Sequence, residues 1–343
     1  MGVAEAPTSK GGRSAGRTLD LLVIPLHGLI LKALEVRPMR LGELRLYLGG
    51  PAQTTLRGHL ATLTELGAIE RGNPDNEFHA SENGLTEMGR ELLLVVFVLE
   101  AWLAEAPQGP IALGTEAAKG TVKALAGAWE STMLRAFAAR PLSLTQLDRL
   151  IGPISYPALE RRLSAMRATG LVESMPNDDS GTPFALTAWG SRGVGSITAA
   201  ARFEYLHMPD QTQPLAPIDV EATFMSVVPG VVLPSSVDGM CQLVAEAPKG
   251  QRRLAGVEVT VDRGRVASCV SRLEDKPRSW ARGTSASWLD VLVVHNTAKL
   301  RVGGDQTLVA GMVLGLYRLL RGPDPDGSGR PSRQKIRSGS AQD

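Results

Sequence analysis

Two stretches, SYPALERRLSAMRATGLVES at 155–174 and AQTTLRGHLATLTELGAIER at 52–71, decide the fold, because they carry the same skeleton. Leu56, Leu60, Leu63 and Gly67 fall 103 positions before Leu159, Leu163, Met166 and Gly170. An apolar face at this spacing belongs to an amphipathic helix buried on one side, and the glycine suits its C-terminus. Ser155 stands where an N-cap belongs, and Pro157 falls in the first turn, where a missing N–H costs little. The later copy carries an adjacent pair of cations, Arg161 and Arg162, where the earlier has Gly58 and His59.

Working outward, Pro38, Leu41 and Leu44 map at the same offset onto Pro141, Leu144 and Leu147, and Leu85, Thr86 and Gly89 map at an offset of 101 onto Leu186, Thr187 and Gly190. An offset that changes once, inside a loop, marks a duplicated fold. Each copy reads as a helix (LHGLILKALEV; WESTMLRAFAA) and a short helix (RLGELRLYLG; SLTQLDRLIG). A turn, the longer helix, two short strands around a polar tip (AIERGNPDNEFHAS; LVESMPNDDSGTPFAL) and a final helix follow. That order is the winged helix-turn-helix layout, whose longer helix enters a DNA major groove.

The chain has 343 residues, 43% of them hydrophobic, enough for two or three buried cores. Its net charge of +2 means that any nucleic-acid footprint is local. Residues 19–105 carry 7 cations against 12 acids and residues 119–207 carry 10 against 7, so the second copy is the better placed to meet phosphate. Two cysteines, Cys241 and Cys269, without further Cys or His at ligand spacing, point to buried thiols rather than disulfides or a metal. No cofactor is expected. The apolar run LLLVVFVLEAWL at 92–103 is interrupted by Glu100 and falls short of a bilayer span, and the N-terminus has no secretory signal. A soluble cytoplasmic protein of bacterial type is expected.

The spaced motifs GRTLDLL, ILKALEVRPMRLGEL, TLRGHLATLTELGAIER and LTEMGRELLLVVFVLEAW, followed by PISYPALERRLSAMRATGLVE and FALTAWG, resemble the HxlR-type winged-helix transcriptional regulators. The resemblance covers both copies and implies operator binding as a dimer joined through terminal helices, here with both halves in one chain. It places Gln53, Thr54, Arg57 and His59 of the first copy, and Ser155, Tyr156, Glu160, Arg161 and Arg162 of the second, towards double-stranded DNA. Arginine can read guanine or grip phosphate through its planar fork. The helix that ends near Glu100 and Trp102 is apolar all round, which fits a seam against SRGVGSITAAARFEYLHM. Lys10, Arg13 and Arg17 on the N-terminal arm could add phosphate contacts.

From 218 onward the texture turns to β-branched alternation (ATFMSVVPG, DGMCQLVAEA, LAGVEVTVDRGRVASCVSR), with a hairpin at VDRG. A short helix in TSASWLDVLV, a strand in KLRVGGD and a helix in QTLVAGMVLGLYRLL complete a unit. This order resembles the sterol-carrier-protein-like fold, which implies an apolar cavity for a hydrophobic small molecule. Its lining candidates are Trp280, Trp288, Leu292, Met312 and Leu316, while Gly303, Gly304 and Asp305 read as a turn rather than a phosphate loop.

The expected fold class is therefore α+β: two tandem winged helix-turn-helix domains forming an intrachain pseudo-dimer, and a C-terminal α/β sterol-carrier-like domain. The boundaries are a flexible basic arm at 1–18, domains at 19–105 and 119–207 with a linker at 106–118, a linker at 208–217, the third domain at 218–322 and a disordered tail at 323–343. No nucleophile elbow, phosphate loop, dinucleotide fingerprint or metal-binding histidine pair appears, so an enzyme is not expected. The expected function is DNA-binding regulation modulated by a hydrophobic ligand. The alternative is a protein that sequesters such a ligand without binding DNA, and further association into a homodimer of pseudo-dimers stays open.

Overall fold

A computed structural model describes residues 15–72, 81–126, 128–151, 154–176, 182–209, 215–247 and 254–321. The chain begins with α1 (Gly16–Leu22), α2 (Pro25–Val36), β1 (Met39–Arg40), α3 (Leu41–Tyr47), α4 (Gln53–Glu65), β2 (Ile69–Arg71), β3 (Glu82–Leu85) and α5 (Glu87–Ala104). The same order returns as α6 (Glu116–Ala126), α7 (Ala128–Ala139), β4 (Leu142–Ser143), α8 (Leu144–Ile151), α9 (Tyr156–Ala168), β5 (Val172–Ser174), β6 (Pro183–Leu186) and α10 (Ala188–His207). The small sheets repeat as well, ordered β1-β3-β2 and β4-β6-β5 and antiparallel throughout. Each run places a short helix and a longer helix ahead of an antiparallel hairpin and a final helix.

The identities that repeat in sequence repeat as contacts. Gly67 (φ +85°) and Gly170 (φ +80°) end α4 and α9 in the left-handed region, which glycine adopts without strain. Thr86 and Thr187 then cap the following helices, their Oγ1 accepting from Gly89 N at 3.0 Å and Gly190 N at 2.9 Å. The capped glycines lie against the hairpin strand, where a Cβ would stand 2.0 Å from Ala68 O and 2.2 Å from Leu171 O. Gly89→Ala or Gly190→Ala is therefore expected to destabilise the fold by about 2 kcal/mol, because backbone on both sides must move. Urea unfolding of either variant measures that loss.

A single apolar core runs through both copies, from Leu19 and Leu56 to Leu163 and Phe203. Its centre is a seam in which α5 and α10 run in opposite directions. The start of α10 meets the end of α5 through stacked Trp102 and Trp189 rings, 4.6 Å apart and inclined by 11°. Each indole N–H donates to the other residue's carbonyl, at 3.0 and 2.9 Å, so neither polar tip is left unpaired. Gly193 makes room, since a Cβ there would lie 2.9 Å from the Trp102 ring. At the rim Arg192 pairs with Glu105 at 2.6 Å, and at the far end Arg202 pairs with Glu91.

The segment 15–18, expected in the flexible arm, instead opens α1, and Thr18 is buried. The cause is the buried Glu204 carboxylate on α10, which accepts from Ala15 N at 2.9 Å and Thr18 N at 2.8 Å. These are amides that a helix leaves unpaired at its start. Burial pushes the Glu204 carboxyl above its usual range, against the lowering effect of those two amides. Residues expected in the linkers also join helices, α6 opening at Glu116 and α11 at Pro217. The arm cations Lys10 and Arg13, the rest of the expected arm and the tail at 323–343 lie outside the described residues.

The remaining elements are α11 (Pro217–Val227), a 3-10 turn at Val228–Gly230, β7 (Gly239–Glu246), β8 (Leu254–Asp262), β9 (Arg265–Val270), β10 (Trp280–Thr284), α12 (Ser285–Val294), β11 (Arg301–Gly303) and α13 (Gln306–Arg321). They form a mixed five-stranded sheet ordered β11-β10-β7-β8-β9, with β10 parallel to β7. The stretch ATFMSVVPG, expected as β-type, is helical. Pro217 sits in the first turn, Asp219 accepts from Ala216 N at 3.0 Å, and Val220, Phe224 and Val227 bury one helical face. The expected hairpin at VDRG is present: Arg263 and Gly264, both at positive φ, connect β8 to β9. Gly304 (φ +81°) forms the expected turn, and Asp305 caps α13 through Thr307 N and Leu308 N. Cys241 is buried and Cys269 half-buried, and burial pushes both thiols up to about 12.

Candidate nucleic-acid interface

On α9, Leu159, Leu163 and Met166 are buried, so the helical period turns Arg161 to the opposite side; Glu160 on the flank and Tyr156 in the first turn are exposed as well. Arg161 is exposed, while its neighbour Arg162 is half-buried at the margin and already engaged. Ser155 caps by position only. Its carbonyl accepts from Ala158 N at 2.9 Å and Leu159 N at 3.0 Å, but its hydroxyl makes no capping bond. A third cation, Arg167, escaped the sequence reading although it lies in the same stretch. It is exposed in the last turn of α9, with its guanidinium 5.3 Å from the centre of the Phe184 ring on the wing strand β6.

On α4, Leu56, Leu60 and Leu63 are buried, and Gln53, Thr54 and Arg57 are exposed. The turn before α4 is fixed by Gly49 and Gly50 at positive φ, by Gly50 N donating to Arg45 O at 2.8 Å and by Arg45 Nε donating to Pro51 O at 2.9 Å. Gly58, the counterpart of Arg161, faces open space, with nothing within 4 Å of where its Cβ would be. Gly58→Arg is thus expected to stabilise α4 by roughly 0.5–1 kcal/mol through helix propensity alone. It should also steepen the salt dependence of DNA binding if α4 lies against a duplex, which titration at several salt concentrations would reveal.

His59 was expected to face DNA, but its ring turns inward. It is half-buried, with Nδ1 3.0 Å from Nε2 of His27, whose own Nδ1 lies 2.8 Å from the Leu21 carbonyl. A carbonyl can only accept, so His27 donates from Nδ1 and receives the His59 proton at a neutral Nε2. Burial, opposed by the Leu21 bond and reinforced by His59, holds the His27 pKa below 6.5. Burial also lowers the His207 pKa. A lowered histidine pKa favours the folded state above the unfolded value and loses that advantage as pH falls through the window below it. Stability should therefore drop on acidification from pH 6.5 towards the folded pKa values, and a His27→Gln variant should show a shallower drop, with the His207 part remaining.

The hairpin β2–β3 pairs Ile69 with Leu85, and β5–β6 pairs Val172 with Leu186. The polar tips at 73–80 and 177–181 lie outside the described residues. Of the arm cations, Arg17 is described and sits exposed on α1.

In the third unit, Trp288, Leu292, Met312 and Leu316 come together in one buried cluster. Phe224 of α11 packs edge-on against Trp288, ring centres 4.7 Å apart, and the Trp288 indole donates to Val244 O at 2.8 Å. Trp280 does not join them. Its neighbour Ala281 points into the cluster, so strand alternation sends Trp280 to the other face, 5.1 Å from the Arg282 guanidinium. No group of three His, Cys, Asp or Glu among the described residues is placed to hold a metal, and no described helix is long and apolar enough to cross a membrane.

Residues 26–108 match the family model of HxlR-like helix-turn-helix proteins. The chain is also 34% identical over 113 residues to an HTH-type transcriptional regulator of Mycobacterium tuberculosis, covering 32% of this chain and 71% of the relative. An HTH-type transcriptional regulator of Mycobacterium bovis matches over the same length with the same identity and coverage.

Proposed function

Because the chain belongs to the HxlR-like helix-turn-helix family, a family of non-enzymatic DNA-binding regulators, we propose that it is a transcriptional regulator built as a one-chain pseudo-dimer of two winged helices, with α9 as its principal reader of duplex DNA. The observation that carries this reading is the outer face of α9. Tyr156, Glu160 and Arg161 stand exposed there, with Arg167 beside the wing, above a fully buried leucine and methionine face. A helix held from behind in this way presents its polar side chains to a groove without reorganisation. The tandem order and the α5–α10 seam support the pseudo-dimer, since the seam stands where the HxlR-type resemblance places the contact between protomers.

The third unit is proposed as a sterol-carrier-like sensor of a hydrophobic small molecule, bound among Trp288, Leu292, Met312 and Leu316. Phe224 already fills that space, so a ligand entering it displaces α11. That helix is tied to α7 of the second winged helix by Arg135 and Asp219 at 2.7 Å, and Arg202 ties α10 to Asp290 of α12 at 3.0 Å. Displacement of α11 thus changes the footing of the DNA-reading module, and affinity shifts only by as much as the ligand prefers one arrangement. The test is to titrate a fluorescent apolar probe into the protein and then to measure DNA binding with and without it. Probe binding that lowers or raises DNA affinity, and that Phe224→Trp blocks, supports the sensor. Probe binding by a protein with no affinity for duplex DNA would favour sequestration instead.

A further inference from the structure

The internal repeat shows what one open surface of the first module is shaped to receive. In the second module the face made by α7 and α10 is covered by α11. Arg135 of α7 pairs with Asp219 at 2.7 Å, and Val194 and Thr198 of α10 are 8% and 6% exposed, Val194 being part of the third unit's core. Among the described residues, no helix covers the equivalent face of the first module, on α2 and α5. Phe97, the counterpart of Thr198, is 42% exposed and Val36 is 66% exposed. Together with Leu29 and Tyr47 they line a groove of about 590 Å³. Scattered apolar side chains are ordinary on a surface, but a contiguous groove of them marks a contact.

The charges at this face differ between the two modules in a way that identifies the occupant. The docked helix α11 carries Asp219 and Glu221 and no cation, and Asp219 answers Arg135. In the first module the residue equivalent to Arg135 is Lys32, already neutralised by Glu100 at 2.7 Å, where the second module has Ala201. Glu35 adds a further carboxylate, where the second module has Ala138. An acidic helix has no cation left to meet there, since Lys32 is held by Glu100, whereas a basic one meets the carboxylate of Glu35.

We propose that the groove of α2 and α5 is a docking site for an amphipathic helix of a partner protein, with an apolar stripe like that of α11 and lysine or arginine along its flank. The first winged helix then recruits a protein while the second reads DNA, which accords with the acidic balance of residues 19–105.

The test uses the whole chain and a labelled peptide of residues 215–229, in native form and with Asp219→Lys and Glu221→Lys, followed by fluorescence anisotropy. The basic peptide is expected to bind about tenfold or more tightly than the native one, with the preference shrinking in high salt. Val36→Asp and Phe97→Asp, both at exposed positions, should abolish binding without shifting the melting temperature, and Glu35→Lys should erase the preference for the basic form. Four results would overturn the proposal: neither peptide binding, the acidic form binding better, binding that responds to Arg135→Ala but not to Val36→Asp, or a dimer in light scattering that Val36→Asp dissociates. The last would make a second copy of this chain the occupant.

Discussion

Alanine in place of Arg161 is expected to weaken duplex DNA binding by about ten- to a hundredfold, corresponding to one bidentate contact of roughly 1–3 kcal/mol. Arg161 is the cleaner probe of the arginine pair because it is exposed, whereas Arg162 is half-buried and its loss also disturbs packing. The pattern of loss identifies the contact. If Arg161 reads a base, discrimination at one position relaxes. If it grips phosphate, affinity falls evenly across sequences and the salt slope drops by about 1. Arg57→Ala on α4 should cost less, because the first module has an acidic balance and an open glycine where α9 has Arg161.

The second large effect belongs to Arg202, whose side chain is only 10% exposed and stands where all three units meet. It binds Glu91 of α5 through Nη1 and Asp290 of α12 through Nε, so it joins the two repeated modules to each other and to the third unit. Arg202→Ala takes the cation from the largely buried Glu91 and leaves Asp290 with only the longer Lys299 contact at 3.7 Å, and a loss of about 3 kcal/mol is expected. Lysine retains the charge but has one point of attachment in place of a fork, so Arg202→Lys should recover only part of that loss. Chemical denaturation followed separately by tryptophan fluorescence and by circular dichroism measures both variants. If Arg202 is the junction, the alanine variant separates into two transitions where the parent shows one.

The repeated elements were legible because each is specified locally. Leu56, Leu60 and Leu63 set a helical face, Gly67 ends it, Thr86 caps the next helix, and the same signs recur around Leu159, Gly170 and Thr187. The outward placement of Arg161 follows from that periodicity, two residues beyond Leu159 and two before Leu163. What escaped depends on partners distant in the chain. No local pattern shows that Glu204 will hold the first turn of α1, that Trp189 will stack on Trp102, or that His27 will turn His59 inward. The stretch 222–230 is ambiguous for a different reason: Val, Thr and Phe suit a strand as well as a buried helix face. There the deciding signals were Pro217 and Asp219, a few residues upstream. Residue type alone groups Trp280 with Trp288, but strand alternation places Trp280 on the other face of the sheet.

The central claim is that this chain reads DNA mainly through α9, and the most direct measurement is selection from a pool of random duplexes by the full-length protein at two salt concentrations, with sequencing of what is retained. Enrichment of one motif is expected, with an affinity that falls steeply with salt and an enrichment that disappears with Arg161→Ala. Absence of an enriched motif, or a motif retained unchanged by Arg161→Ala, would contradict it.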